Sequence, residues 1–467
     1  MKIWMVALDA HSGGGISTHL FNVTEGLRDA GHEVKWITPA GKIVEDLASI
    51  VLNVNKQILN PYPNNWMVDV IETWAVRLEM NFSLMISEEQ PDIIHCHDVI
   101  SFHHLKERAA LYNIPIILTV HGYIAEEEVE NGNIERYSIE HKYWKKTEWF
   151  ALKEANRVIA VGVELKKYLM NVYPGVNIDV IPNPIHPSFL NGNYLDIRKQ
   201  LNIPEDNFLV FCPSRFSFNK GVEYLIEAVG QITGNFSVIL VDHGIQGLNE
   251  AIADSKNYEK FKVIKPVSRE ILLSIYRTAD VCVIPSVTSG ISKETSSYTG
   301  IEAMTVGIPV IGSKIGGLSE VLESGGILVK ERNSSELKSA IQLLMSSKDE
   351  QLFWSKKAKK RSECFKTDFI IPQLEGIYKE AILESEKIYY TPFNLYGFSS
   401  KVLRLMFLLI NGDISAMQNL LNMDHIRFGE NHKNALLSSF EIVCRNLPIE
   451  YIEIQNNGII FLKNLRN

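Results

Sequence analysis

Residues 289–321, SGISKETSSYTGIEAMTVGIPVIGSKIGGLSEV, constrain this chain more than any other stretch. Glu294 and Glu302 stand eight positions apart, with a turn containing Ser and Gly between them. Glu302-Ala303-Met304 supplies good helix formers and Gly307 a stop. Val310 and Ile311 begin a short apolar strand that Gly316-Gly317 ends. The order reads as loop, helix N-terminus, short helix, strand and glycine turn. A helix start carries N–H groups without intrahelical partners and a positive dipole end, which suits a phosphate. Here those groups fall near Thr299, Gly300 and Ile301. A carboxylate further along the helix can accept hydrogen bonds from ribose hydroxyls, and one just before it can meet a sugar hydroxyl. The spacing fits a nucleotide-sugar lying across a helix N-terminus.

The rest of the chain alternates apolar runs with helical patterns. Lys2 to Leu8 reads as a buried strand, followed by Gly13-Gly14-Gly15, a helix over 17–30 ending at Gly31, and a strand over 34–37. Strand, glycine loop, helix and strand imply a parallel sheet. The loop lacks the dinucleotide fingerprint, so its glycines instead let the backbone approach a ligand. Further strands are read at 92–96, 116–120, 157–161 and 180–184, then at 209–212, 238–241, 263–266, 281–285 and 326–329. Ligands gather at the carboxyl ends of such strands, where His97, Asp98 and His121 fall. After the 209–212 strand, Arg215 and Lys220 sit on a strand-to-helix loop. Two cations there can stabilise a departing diphosphate. Pro182, Pro184 and Pro187, with Asn191-Gly192 soon after, mark a boundary between two halves. His95, His97, His103 and His104 cluster in sequence, but their spacing matches no Cys/His ligand pattern, so no metal is expected.

Composition excludes some classes. A net charge of -8 argues against a general nucleic-acid binder. The five cysteines are scattered and odd in number, with no CxxC pair. Cys96, Cys212 and Cys282 lie in apolar runs, where Cys is usually a small buried hydrophobe. A reduced, cytoplasmic setting fits that usage. The N-terminal MKIWMVALDA does not read as a signal peptide, and no stretch is long and apolar enough to span a bilayer. Glu126-Glu127-Glu128 and Glu130 read as a solvated face. The segment 141–157 mixes lysines with Tyr143, Trp144, Trp149 and Phe150, and reads as a surface helix packing its aromatics on the domain. Residues 60–65, NPYPNN, form a loop. In the tail, 401–410 is apolar but short, and 451–462 suggests a hairpin around Asn456-Asn457-Gly458.

Glu294 and Glu302, with seven residues between them and EAMTVGIPVIGSKIGGLSEV following, resemble the E-x7-E motif of retaining, family 4-type glycosyltransferases. Other blocks agree in order: the glycine loop, Thr119-Val120-His121-Gly122, and Arg215 through Lys220-Gly221. The resemblance covers residues 1 to about 387 and implies the GT-B architecture, an α/β fold of two Rossmann-like domains facing across a cleft. It implies an acceptor-side domain at 1–185, a donor-nucleotide domain at 186–368, a crossover helix at 369–388 and an extension at 389–467. It places Glu294 near the donor sugar, Glu302 on the ribose, His121 against the sugar, and Arg215 and Lys220 on the diphosphate. Gly14 and Gly15 face the donor phosphates and the acceptor. UDP is the commonest donor nucleotide among relatives. No Asp-x-Asp occurs, so neither a bridging metal nor another cofactor is expected. Some relatives reach membrane lipid acceptors through a basic aromatic helix, which leaves a peripheral membrane contact open for 141–157. The extension could serve a homo-oligomer or a partner. One departure stands out: Thr295, Ser296 and Ser297 replace the aromatic-glycine pair usual after the first Glu. Two rivals share the architecture, a nucleotide-sugar epimerase or phosphorylase and a non-catalytic partner of a true transferase.

Overall fold

In a computed structural model of the chain, the described residues are 1–8, 14–40, most of 74–90, 91–385, 451–454 and 460–463. Two six-stranded parallel sheets carry the architecture. The first has the order β2-β1-β3-β4-β5-β6. Its strands are β1 Lys2–Val6, β2 Glu33–Ile37, β3 Ile93–Cys96, β4 Ile116–Val120, β5 Arg157–Ala160 and β6 Ile178–Val180. The second has the order β12-β11-β10-β7-β8-β9. It is built from β7 Phe208–Cys212, β8 Phe236–Val241, β9 Phe261–Ile264, β10 Val281–Ile284, β11 Val310–Ser313 and β12 Ile327–Val329. Parallel strands covered on both faces need near-continuous apolar runs. Those of β4, β7 and β10 are buried at every position. Cys96, Cys212 and Cys282 are buried in β3, β7 and β10, as expected of small core residues, and Cys364 is exposed. The two sheets with their flanking helices form two Rossmann-like domains.

Several boundaries differ from the sequence reading for identifiable reasons. The strand read at 180–184 is Ile178–Val180. Pro182 and Pro184 have no N–H to donate, so the ladder stops before them. The strand read at 263–266 is the edge strand β9, which ends before Pro266. Gly316-Gly317 does not end β11 but opens the next helix, Gly316–Leu322.

The chain returns to its first half at the end. Ile185 donates to the carbonyl of Phe365 at 2.7 Å and accepts from Thr367 N at 3.1 Å, tying the crossing segments together. The helix Thr367–Ser385 then lays Ile370, Ile371, Leu374 and Tyr378 into one core with Ile3, Met5 and Leu20. Gly26 permits this: a Cβ there would lie 2.7 Å from Ile371. Beyond it, β13 Tyr451–Ile454 and β14 Ile460–Lys463 pair antiparallel with Ile454 opposite Ile460, as the hairpin pattern suggested. The loop at 60–65, the apolar run at 401–410, Gly13, Cys444 and the turn around Asn456-Asn457-Gly458 lie outside the described residues. Among the described residues, no helix is long and apolar enough to cross a membrane.

Candidate active site

The two halves enclose a cavity of about 560 Å³ at the carboxyl ends of β1, β3, β4, β7 and β10. Of the site residues read from the sequence, Gly15, His97, Asp98, His121, Arg215, Lys220 and Glu294 line it. Gly14, Thr299, Gly300, Ile301 and Glu302 are not among its lining residues. Gly14 caps the Gly15–Asp29 helix with φ +105°, and among the described residues no neighbouring atom lies within 4 Å of where a Cβ on Gly14 or Gly15 would stand.

Lys220 reaches the cavity because Gly221 allows a tight exit from the loop after β7. Gly221 has φ +60°, and a Cβ on it would lie 2.1 Å from the Pro285 carbonyl at the end of β10. Lys220 Nζ then meets Glu294 Oε2 at 2.7 Å, and Ser286 Oγ donates to the same oxygen at 3.1 Å. Burial pushes the Glu294 carboxyl up, but Lys220, with Ser286 and Arg215, outweighs burial and holds it below its usual range.

The loop carrying Glu294 rests on the glycine pair. Gly317 N donates to the Glu294 carbonyl at 2.7 Å, and a Cβ on Gly317 would fall 1.6 Å from the Thr295 carbonyl. The residues that depart from the family pattern join the two halves. Thr295 Oγ1 donates to the His121 carbonyl at 2.8 Å, and the Ser296 carbonyl accepts from Asn183 Nδ2 at 3.1 Å. Ser297 caps the helix Tyr298–Val306 by accepting from Gly300 N. The amides of Gly300 and Ile301 are thus already bonded, the second to the Ser297 carbonyl at 3.1 Å. Glu302 lies further along that helix. Tyr276 Oη donates to its Oε2 at 3.1 Å. Burial pushes its carboxyl up to about 7 despite Tyr276 and the nearby Arg269.

A histidine group forms the floor on the first-domain side. His97 Nδ1 lies 3.3 Å from His121 Nε2, and His19 Nδ1 lies 2.9 Å from Asn183 Oδ1. Beneath them His95 bonds Tyr378 Oη at 2.8 Å and Thr119 Oγ1 at 2.7 Å. Burial drives His19 down to about 4 and His95, His97 and His121 well below their ordinary value, so all four are neutral at pH 7. His19, His97 and His121 offer ring nitrogens within 4.8 Å of one another. Among the described residues these three are the set that could hold a metal ion, a juxtaposition the sequence spacing does not reveal. His103 and His104, grouped with them in sequence, lie elsewhere: His104 Nδ1 bonds Glu79 at 2.5 Å and His103 meets Phe150 edge to face.

The acid run is not a solvated face. Glu126 is 3% exposed and pairs with Arg136 and with Lys145 at 3.1 Å. Glu127 lines the cavity, and Glu130 crosses to the second half, accepting from Ile291 N at 3.0 Å and Ser292 N at 3.3 Å. These acids sit on the short helix Ile124–Glu130, which the second domain and the helix Ile139–Glu154 cover. On that longer helix Trp144 is buried and Trp149 exposed, so its aromatics divide between core and surface. Asn183, Glu127 and Trp144 were missed as cleft residues, and His19 as the neighbour of His97 and His121 behind them. The available signal was polar side chains on otherwise buried faces, as with His19 and Asn22 on the first helix.

Comparison with known proteins agrees with this fold. Residues 13–189 match the family model described as Glycosyltransferase Family 4, and residues 193–361 match Glycosyl transferases group 1. An uncharacterised glycosyltransferase of Methanocaldococcus jannaschii is 26% identical over 400 residues, covering 82% of this chain and 99% of that protein. The N-acetyl-alpha-D-glucosaminyl L-malate synthase of Bacillus anthracis is 22% identical, over 77% of this chain and 92% of that protein. Among solved structures, sucrose-phosphate synthase from Thermosynechococcus elongatus superposes with a TM-score of 0.64 at 21% identity, covering 82% of this chain and 100% of that one. Anabaena HepE, solved in complex with UDP-glucose, gives 0.56 at 19% identity, covering 83% and 100%. The two family models meet at the linker between the sheets, and the neighbours share the two-domain fold. The chain belongs to the family 4-like glycosyltransferases of GT-B fold.

Proposed function

We propose that the chain is a retaining glycosyltransferase that moves a sugar from a nucleotide-sugar, with UDP as the nucleotide, to an acceptor hydroxyl without a metal. The observation that carries this reading is the Lys220–Glu294 pair at 2.7 Å, with Arg215 beside it on the same cavity wall. In this reading Arg215 and Lys220 hold the diphosphate, Glu294 meets the donor sugar, and Glu302 accepts from the ribose hydroxyls. The Gly14–Gly15 backbone approaches the phosphates from the opposite side. His121, neutral through burial, bonds the sugar without adding charge. Residues 1–185 act as the acceptor-side domain, 186–368 as the donor domain, 369–388 as the crossover helix and 389–467 as an extension.

The bond from the anomeric carbon to the phosphate oxygen breaks, and the acceptor oxygen bonds that carbon on the same face. The acceptor proton passes to the departing phosphate oxygen. The negative charge gathering on that phosphate is met by two fixed cations, which replace the metal that many transferases use. Closure of the two halves keeps water from the donor. HepE, solved with UDP-glucose and with UDP, supports a UDP donor by fold likeness.

A thermal-shift panel of UDP, GDP, ADP and dTDP sugars tests the donor, since a ligand that binds the folded chain raises its apparent stability. The UDP sugars should give the largest shift. Lys220→Ala and Glu302→Ala should each cut transfer sharply with the fold intact by circular dichroism. Turnover unchanged in both variants would overturn the site assignment.

A further inference from the structure

The charges lining the cavity are divided between its two halves. Its three cations, Arg215, Lys220 and Lys293, all come from the second domain. Among the described residues the first domain contributes no lysine or arginine, only neutral groups and two carboxylates, Asp98 and Glu127. Asp98 is committed to local structure. It accepts from Ser101 N and Ser101 Oγ, each at 2.6 Å, and from Leu8 N at 2.9 Å. Glu127 is not: Oε1 accepts from Tyr123 N at 3.0 Å, while Oε2 has no hydrogen-bond partner among the described residues.

The position of that carboxylate is set by the backbone beneath it. A Cβ on Gly122 would come 2.5 Å from Glu127 Oε1, so the acid packs directly on the residue following His121. Among the described residues two lining groups have buried polar atoms without partners, Trp144 Nε1 and His97 Nε2. A buried polar atom left unpaired costs roughly 1–3 kcal/mol, so unpaired groups along one wall point to a ligand that pairs them. An indole N–H, a neutral ring nitrogen and a carboxylate oxygen are matched by hydroxyls, which both donate and accept. A phosphate suits them poorly. It brings only acceptors and negative charge to Glu127, and the cation whose charge reaches Glu127, Lys220, is already paired with Glu294 at 2.7 Å.

We propose that the first-domain half of the cavity takes the acceptor as an uncharged polyhydroxy compound, with Glu127 accepting from one of its hydroxyls and disfavouring acceptors that carry a phosphate. This rests on the second-domain half being the donor site, as proposed above.

The test uses the full chain with saturating UDP, so that the donor half is filled, and reads binding of inorganic phosphate by calorimetry. The wild type should show none, and Glu127→Lys should gain phosphate binding at least tenfold tighter than wild type. Transfer from UDP-glucose is measured in parallel to glucose and myo-inositol and to their monophosphates. The neutral compounds should win by at least tenfold in kcat/KM. The isosteric Glu127→Gln should raise the KM for the neutral acceptor several-fold, with kcat and the UDP-glucose KM nearly unchanged. Wild-type chain that binds phosphate as tightly as Glu127→Lys, or that prefers the phosphorylated acceptors, overturns the inference. So does a Glu127→Gln effect confined to the donor KM. If none of these acceptors reacts, the phosphate measurement decides alone, and Glu127→Gln replaces Glu127→Lys if the latter does not fold. Failure of UDP to bind wild type is a separate result that removes the donor reading itself.

Discussion

Glu302 gives the sharpest stability prediction, because its carboxyl is pushed from an ordinary 4.5 to about 7 by burial beside Tyr276. Between those two values the folded chain binds a proton that the unfolded chain has released. Stability linked to the group is therefore complete below about pH 4.5 and is lost as pH rises through about 7. At about 1.4 kcal/mol per pH unit, the ionised group costs the fold about 3 kcal/mol at pH 8. Glu302→Gln keeps the shape, leaves Tyr276 Oη a partner and cannot ionise. It should match wild type at pH 4.5 and exceed it by about 3 kcal/mol at pH 8, or roughly 6–12 °C in the melting temperature of a domain this size. The assay is a pair of urea titrations at the two pH values, checked by thermal melts. Saturating UDP adds a functional readout. If ribose hydroxyls donate to Glu302, UDP favours the ionised form and makes the wild-type loss between pH 4.5 and 8 shallower. A Glu302→Gln gain equal at both pH values, or no gain at pH 8, would refute the reasoning, since only the titrating proton distinguishes the two conditions.

Other contacts make comparable tests. Gly317→Ala forces a Cβ to within 1.6 Å of the Thr295 carbonyl. It should cost about 3 kcal/mol and lower transfer by shifting the Glu294 loop; a normal urea midpoint and a normal kcat would both speak against this. Gly26→Ala should gain about 1 kcal/mol in helix propensity but lose about 1–3 through its clash with Ile371. The net loss should show as faster amide exchange in the Thr367–Ser385 helix, and unchanged exchange there would contradict it. Glu320 accepts from Val163 N at 2.7 Å and Glu164 N at 2.6 Å, so an acid of the second domain caps a helix of the first. Glu320→Ala should cost about 1 kcal/mol of the joined state and enlarge the radius of gyration in small-angle scattering, with no change counting against a capping role.

What the sequence disclosed follows from how local the signal was. β7 and β10 were legible because strands buried on both faces leave unbroken apolar runs, and each is bounded by Gly, Pro or a charged loop within a few residues. Arg215 and Lys220 were legible as cavity-lining residues because strand ends in a parallel sheet are where ligands gather, and Glu294 because it stands just before a helix N-terminus. The acids at Glu126, Glu127 and Glu130 misled because a run of carboxylates looks solvated until the elements that cover it are known. The Ile139–Glu154 helix and the second domain supply those covers. The glycine pair at Gly316-Gly317 misled for a similar reason. As local punctuation it ends a strand, yet its absent Cβ atoms are needed by Glu294 and Thr295, more than twenty positions earlier. Thr295, Ser296 and Ser297 look like a lost motif in sequence, but in space they tie His121 and Asn183 of the first domain to the helix that bears Glu302. A departure that forms bonds across the cleft at this point is a substitution of means: side-chain hydroxyls and a backbone carbonyl position the same loop. The cavity is consequently lined from both domains at once, so changes at Thr295 should couple to His121 more strongly than changes at any residue confined to one sheet.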